Sequence, residues 1–273
     1  MSYLFDPRSM YRMPTHFGPA LGPRQGMQGR RYECRTGPRQ LIVEAAFEAD
    51  AAQLAALLPP RFEPLEPARL VLSFVYMTEI EWLAGRGYNT FGVRFPARYV
   101  GAAGEVRGEF LAVLWENRPE PIITGREELG FSKVYCELPE MVRDGSSLGC
   151  RASWEATTFA VMELSGLAPG DPAAGMADSA GLLHYKYVPR TGEWGKADAE
   201  YAVLTPAGAP NFQLEHCERG VASMRFQPAS WEALPTLYRE VTALSELRIG
   251  RNLWAHVLRA RGYKDLSDQR ILR

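Results

Sequence analysis

Leu70 to Met77, reading Leu-Val-Leu-Ser-Phe-Val-Tyr-Met, is the stretch that most narrows what this chain can become. It is apolar at nearly every position, so as a strand it has to be covered on both faces, as happens in a barrel or cone of sheet. Other segments extend this reading. Arg39 to Ala45 reads as a strand, as do Phe95 to Val100 and Gly108 to Trp115, with Gly104 as the turn residue between the last two. Asp50 to Leu58 reads as a short amphipathic helix with an aspartate N-cap, stopped by Pro59-Pro60. Ser153 to Leu164 suits strand or helix on pattern alone. Leu247 to Arg261 carries apolar residues at Ile249, Leu253, Trp254, Val257 and Leu258, a helical period that predicts a C-terminal helix.

Residues 1 to about 30 are rich in Pro, Gly, Arg and Met without periodicity, as in Pro14-Thr15-His16-Phe17-Gly18-Pro19. Such a segment buries little apolar surface on itself, and it reads as an arm that packs at an interface. The remainder, 31–273, reads as one domain, since mixed barrels often reach this size singly. With 46% hydrophobic and 23% charged residues and a net charge of −1, the chain has material for a sizeable core and no basic tract for nucleic acid or a membrane surface. No apolar run approaches the roughly 20 residues that span a bilayer, and the start lacks a signal pattern, so a cytoplasmic protein is expected. Cys34, Cys136, Cys150 and Cys217 are scattered and no His pair has metal-ligand spacing, which predicts reduced thiols and no metal site. No glycine-rich phosphate-loop motif is present in the sequence.

The candidate chemistry lies in Thr124-Gly125-Arg126-Glu127-Glu128-Leu129-Gly130-Phe131-Ser132-Lys133-Val134-Tyr135, which follows an apolar run and the Pro-rich connector at Pro119-Glu120-Pro121. A lysine placed where a core strand hands over to a loop or short helix can be half buried. An ordinary ammonium is protonated up to a pH of roughly 10.4 and cannot attack a carbonyl, whereas burial among apolar neighbours disfavours the charged form and exposes the lone pair needed for an imine. On residues alone, a lone lysine between apolar neighbours reads as one that snorkels to water.

The string Gly125-Arg126-Glu127, then Gly130-Phe131-Ser132-Lys133, resembles the active-site segment of the acetoacetate decarboxylase family, in which Gly-Arg-Glu leads to an aromatic, a proline and the imine-forming lysine. The resemblance makes Lys133 the nucleophile, with Arg126, Glu127 and Phe131 supporting it. Ser132 stands where the family has proline, and Val134 where true decarboxylases have a second lysine. Tyr88-Asn89-Thr90 resembles the family's tyrosine-x-glutamate element, with Thr90 in the glutamate's place. Leu72 or Ser73 replaces another carboxylate, and Arg39 falls within one residue of the arginine at the substrate entrance. Glu79, Glu81 and Glu109 lie on nearby segments and could supply a carboxylate from another direction. His184 and Lys186 share a strand face and read as exposed.

The resemblance, which spans about 31 to 250, implies an α+β fold. Its large curved antiparallel sheet closes into a cone or barrel with a few flanking helices, and the protein forms homo-oligomers. It implies a lyase that forms a Schiff base with a small oxo-acid substrate and needs no separate cofactor. The loss of two carboxylates and the second lysine suits aldolase-dehydratase work better than acetoacetate decarboxylation. A β-keto-acid decarboxylase is the alternative enzyme, and a non-catalytic barrel that binds an apolar carboxylate is the alternative of another class.

Overall fold

The computed structural model describes residues 5–176 and 178–273. Fourteen strands form one sheet: β1 Arg39–Ala49, β2 Phe62–Pro64, β3 Arg69–Ile80, β4 Arg86–Gly101, β5 Gly104–Glu116, β6 Lys133–Tyr135, β7 Val142–Asp144, β8 Ser147–Trp154, β9 Thr157–Pro169, β10 Gly181–Pro189, β11 Ala197–Pro206, β12 Gln213–Phe226, β13 Ile249–Arg261 and β14 Arg270–Leu272. Their order is β14-β11-β10-β5-β4-β3-β1-β13-β12-β9-β8-β7, with β2 added on β4 and β6 on β5. Among the described residues three short α-helices flank it, α1 Ala51–Ala56, α2 Pro119–Thr124 and α3 Tyr238–Ser245. The expected large sheet with few helices is present. Its hydrogen-bonded path is open, ending at β14 and β7, and it is mixed, because β10 and β6 both run parallel to β5.

Leu70 to Met77 lies inside β3, held between β1 and β4. One face of β3, β4 and β5 builds the main core, an aromatic pile in which Phe74 stacks on Phe91 at 4.2 Å and Phe91 on Trp115 at 5.2 Å, with Phe159 of β9 closing it at 5.3 Å. Leu234, Val241 and Leu244 complete this layer. The opposite face of the same strands lines a cavity, which is why β3 is apolar on both sides. The Asp50 side chain caps α1 through the Ala52 and Gln53 amides at 2.9 and 3.1 Å. Ser153 to Leu164 is the end of β8, a tight turn and the start of β9.

The expected C-terminal helix is a strand. β13 pairs with both β1 and β12, so its backbone is satisfied by the sheet on each side. Its helix-like spacing has a structural origin. Ala46 and Phe47 of β1 pair with Trp254 and Asn252, leaving Leu253 over, and Phe47 to Ala49 faces the longer span Asn252 to Ile249. Each extra residue breaks the alternation of a strand, and two close together stretch a period of two toward that of a helix.

The arm lies against its own chain. Arg12 bonds the Thr124 hydroxyl and pairs with Glu128 at 3.8 Å, while Arg24 reaches the same carboxylate at 3.5 Å. These contacts bind it to the segment that leads into Lys133.

Candidate active site

A bulge in β5 decides what faces the cavity. Val93 and Arg94 of β4 pair with Val113 and Leu111, so Ala112 is an extra residue that shifts the phase of the strand. Before it, Glu109 and Leu111 face the cavity, and after it Leu114 and Glu116 do, while Phe110, Val113 and Trp115 stay in the core. Beyond Glu116 the chain turns through α2 and a π turn, Gly125–Leu129, which ends at Gly130 with φ of 79°. That left-handed position suits glycine, and a Cβ there would also lie 3.0 Å from Lys186 Cβ. The chain then enters β6 alongside the end of β5, with Lys133 opposite Leu114.

Lys133 is 6% exposed and lines a cavity of about 650 Å3. Its Nζ lies 2.8 Å from Glu116 Oε1, donates to the Pro121 carbonyl at 3.1 Å and sits 5.2 Å from the Phe131 ring centre. Glu116 is 1% exposed, and its Oε2 is buried with no partner among the described residues. Burial pushes its carboxyl above the usual range, against the charge and hydrogen bond of Lys133. The pair is thus a buried acid and amine a hydrogen bond apart, and the carboxylate can take the ammonium's proton. Tyr88 lines the cavity, and burial, Glu116 and Tyr263 hold its phenol well above the ordinary value, so it remains a donor.

His184 is fully buried, not exposed. Its ring lies 4.2 Å from that of Phe131 and its Nε2 is 3.0 Å from the Thr205 hydroxyl. Burial, then the charge of Lys133, hold it down to about 3, so it backs the cavity wall as a neutral imidazole. Lys186 donates instead to the Glu127 carbonyl at 2.5 Å.

A second polar group lines the cavity on β1, β4 and β5. Arg94 donates to Glu44 at 2.6 Å and through Nε to Glu109, which also pairs with Arg69 at 3.4 Å, and His256 lies 3.2 Å from Glu44. Burial would raise the Glu44 carboxyl, but the charge of Arg94 and the His256 contact outweigh it and hold it at about 2. A carboxyl lowered on folding stabilises the protein above its unfolded value, and that contribution is lost as pH falls through the folded one. Between about pH 5 and pH 2, Glu44 should therefore contribute a loss of about 3 kcal/mol. Urea unfolding across that range should show a correspondingly shallower decline for Glu44→Gln.

The acetoacetate decarboxylase family model matches residues 12–256. The chain belongs to the acetoacetate decarboxylase family. No curated protein matches it in sequence. Among solved structures, an acetoacetate decarboxylase from Legionella pneumophila subsp. pneumophila str. Philadelphia 1 is similar at a TM-score of 0.64 and 18% identity, covering 91% of this chain and 92% of that one. The enduracididine biosynthesis enzyme MppR, complexed with the condensation product of pyruvate and imidazole 4-carboxaldehyde, gives 0.63 and 13% over 89% and 92%. An acetoacetate decarboxylase-like enzyme from Sphingomonas wittichii RW1 gives 0.59 and 14% over 88% and 96%. At such identities the likeness is one of fold.

Within the family pattern, Lys133, Phe131, Tyr88 and Thr90 come together on the cavity, and Ser73 rather than Leu72 occupies the β3 position that faces it. Arg126 supports from behind, donating to the Lys133 carbonyl at 2.8 Å instead of pairing with Glu127 or Glu128. Three candidates lie elsewhere. The Arg39 side chain is on the outer face of β1, paired with Glu79 at 3.1 Å, because Gln40, Ile42 and Glu44 take the inward positions. Glu127 is exposed on the π turn, and Val134 alternates away from Lys133 toward the main core. Position 134 therefore does not face the nucleophile. Glu116 is the functional candidate that the sequence reading missed. It is the register partner of Thr90, so a carboxylate reaches the site from the strand next to the one where the family pattern has it.

Proposed function

We propose that the protein is a lyase that forms an imine between Lys133 and the carbonyl carbon of a small oxo acid. It uses the derived enamine for carbon–carbon bond making or breaking with loss of water, in preference to decarboxylation. The observation that carries this reading is Glu116 at 2.8 Å from the Lys133 amine inside a largely apolar cavity. Glu116 accepts the ammonium proton, and the neutral amine attacks the carbonyl to give a carbinolamine. Glu116 then returns the proton to the leaving hydroxyl, so that water departs and the cationic imine remains. Loss of carbon dioxide from a β-keto acid generates the enamine without any base. An aldol reaction instead requires removal of a proton from the carbon beside the imine, and the regenerated Glu116 carboxylate supplies that base. Positions Ser73 and Thr90, where the family pattern has carboxylates, offer only hydroxyls.

Incubation with pyruvate and borohydride should attach a reduced pyruvyl group to Lys133, located by peptide mass mapping. No adduct on Lys133 would sink the reading. In deuterated water the pyruvate methyl should exchange faster than acetoacetate releases carbon dioxide, and the opposite order would favour the decarboxylase.

A further inference from the structure

The cavity is much larger than the oxo acid that Lys133 would hold. About 650 Å3 is the liquid volume of roughly 20 water molecules, and a three-carbon oxo acid displaces only a few of them. The extra space runs along β4. Thr90, the register partner of Glu116, and Arg94, four residues on, lie roughly 13 Å apart at about 3.3 Å per residue, and the lining continues past Thr90 to Tyr88. Ile42, Val75, Leu111 and Leu114 line the cavity with apolar surface. Gly92 lies between Thr90 and Arg94 and lets Leu114 and Leu111 pack down over the strand, since a Cβ there would lie 3.2 and 3.7 Å from their Cδ1 atoms.

The far end is polar but balanced in charge. Two guanidinium groups, Arg94 and Arg69, face two carboxylates, Glu44 and Glu109. Such an end gives no net attraction to a cation or an anion, and desolvating either there would be costly. Arg94 Nε and Nη2 are both engaged by carboxylates, whereas its Nη1 has no partner among the described residues. A donor thus stands beside acceptor oxygens in the cavity wall. The neutral group that satisfies both is a hydroxyl, accepting from Nη1 and donating to Glu44 or Glu109.

Building on the imine reading above, we propose that the partner of the Lys133-bound oxo acid is an elongated aldehyde or ketone with an apolar middle and a terminal neutral hydroxyl held by Arg94. The new carbon–carbon bond forms between the enamine carbon and the carbonyl carbon of this second substrate, whose oxygen takes the proton and later leaves as water. Arg94 is then a specificity-determining residue remote from the reacting atoms.

The test uses protein first converted to the reduced pyruvyl adduct. Calorimetry then measures the dissociation constants of 1-propenylbenzene, 4-(1-propenyl)phenol and 4-(1-propenyl)benzoate, which carry no other hydroxyl and form no imine. The hydroxylated probe should bind at least about tenfold more tightly than either other, the size expected of one hydrogen bond to a charged group. Apolar transfer alone would favour unsubstituted 1-propenylbenzene. Equal affinities, or an advantage for the unsubstituted or the carboxylated probe, would overturn the proposal. In Arg94→Gln combined with Glu109→Gln, which removes one charge of each sign, the ratio should fall toward one, and its survival would overturn the assignment to Arg94. Should the adduct itself fail to form, the imine reading fails, and the same titrations on untreated protein still read the far end of the cavity.

Discussion

Replacing Lys133 with methionine should abolish the borohydride-trapped pyruvate adduct while making the fold less stable in a way that worsens as pH rises. The first effect follows from the loss of the amine that, among the described residues, alone lines the reactive end of the cavity, since Lys264 is tied to the Pro206 carbonyl and to Asp268. The second follows from what stays behind. Glu116 is 1% exposed and loses its one charged partner. Removing half of a buried pair typically costs about 3–5 kcal/mol. Burial already raises the Glu116 carboxyl, and without Lys133 nothing opposes it. A group raised on folding stabilises the protein below its unfolded value, and that contribution disappears as pH climbs through the folded one. Urea unfolding of Lys133→Met should therefore show stability near that of the parent at pH about 4 and a progressive decline above the ordinary carboxylate range. Adding Glu116→Leu should remove the pH dependence and restore most of the loss, because apolar replacement of a whole buried pair is often neutral or favourable. Persistent adduct formation in Lys133→Met, or a pH-independent deficit, would show that these two residues do not form the reactive pair.

The same pair shows where sequence reasoning stops. Lys133 was legible because its neighbours are apolar and because Gly125 to Lys133 keeps the spacing of a known family segment, and the apolar β3 correctly implied a sheet covered on both faces. Glu116 was not legible. It follows Trp115 at the end of an apolar run, and simple alternation from Glu109 would point position 115, not 116, into the cavity. Only the extra residue at Ala112 reverses that, and a bulge is a property of two paired strands that one strand's sequence does not display. The C-terminal strand was misread for the same reason. Arg39 and Val134 failed by one position each, which in a strand is the difference between the two faces. The expectation that burial alone frees the Lys133 amine also has to be replaced, since a carboxylate sits beside it.

Gly125→Ala should separate the chemistry from the fold. A Cβ at this position would lie 2.4 Å from Lys133 Cδ, 2.5 Å from Cε and 2.7 Å from Nζ, so the glycine of the Gly-Arg-Glu motif serves as the floor on which the lysine side chain rests. Its backbone is right-handed helical, at φ of −63° and ψ of −40°, which alanine adopts without strain. Alanine also has the higher helix propensity, by up to about 1 kcal/mol, so the backbone should tolerate or prefer it. Only the flexible end of Lys133 has to move, and moving it breaks the 2.8 Å contact with Glu116 through which, in the proposed mechanism, the amine loses its proton. A misplacement near 1 Å can cost about a hundredfold in rate. Pyruvate trapping in Gly125→Ala should accordingly slow by at least about a hundredfold, with a smaller loss of stability than in Lys133→Met, because the displaced ammonium stays in the cavity with the Glu116 carboxylate. A variant that traps at the parental rate would mean that Lys133 reaches its substrate by a path that does not cross Gly125, and that the 2.8 Å contact is not the reactive geometry.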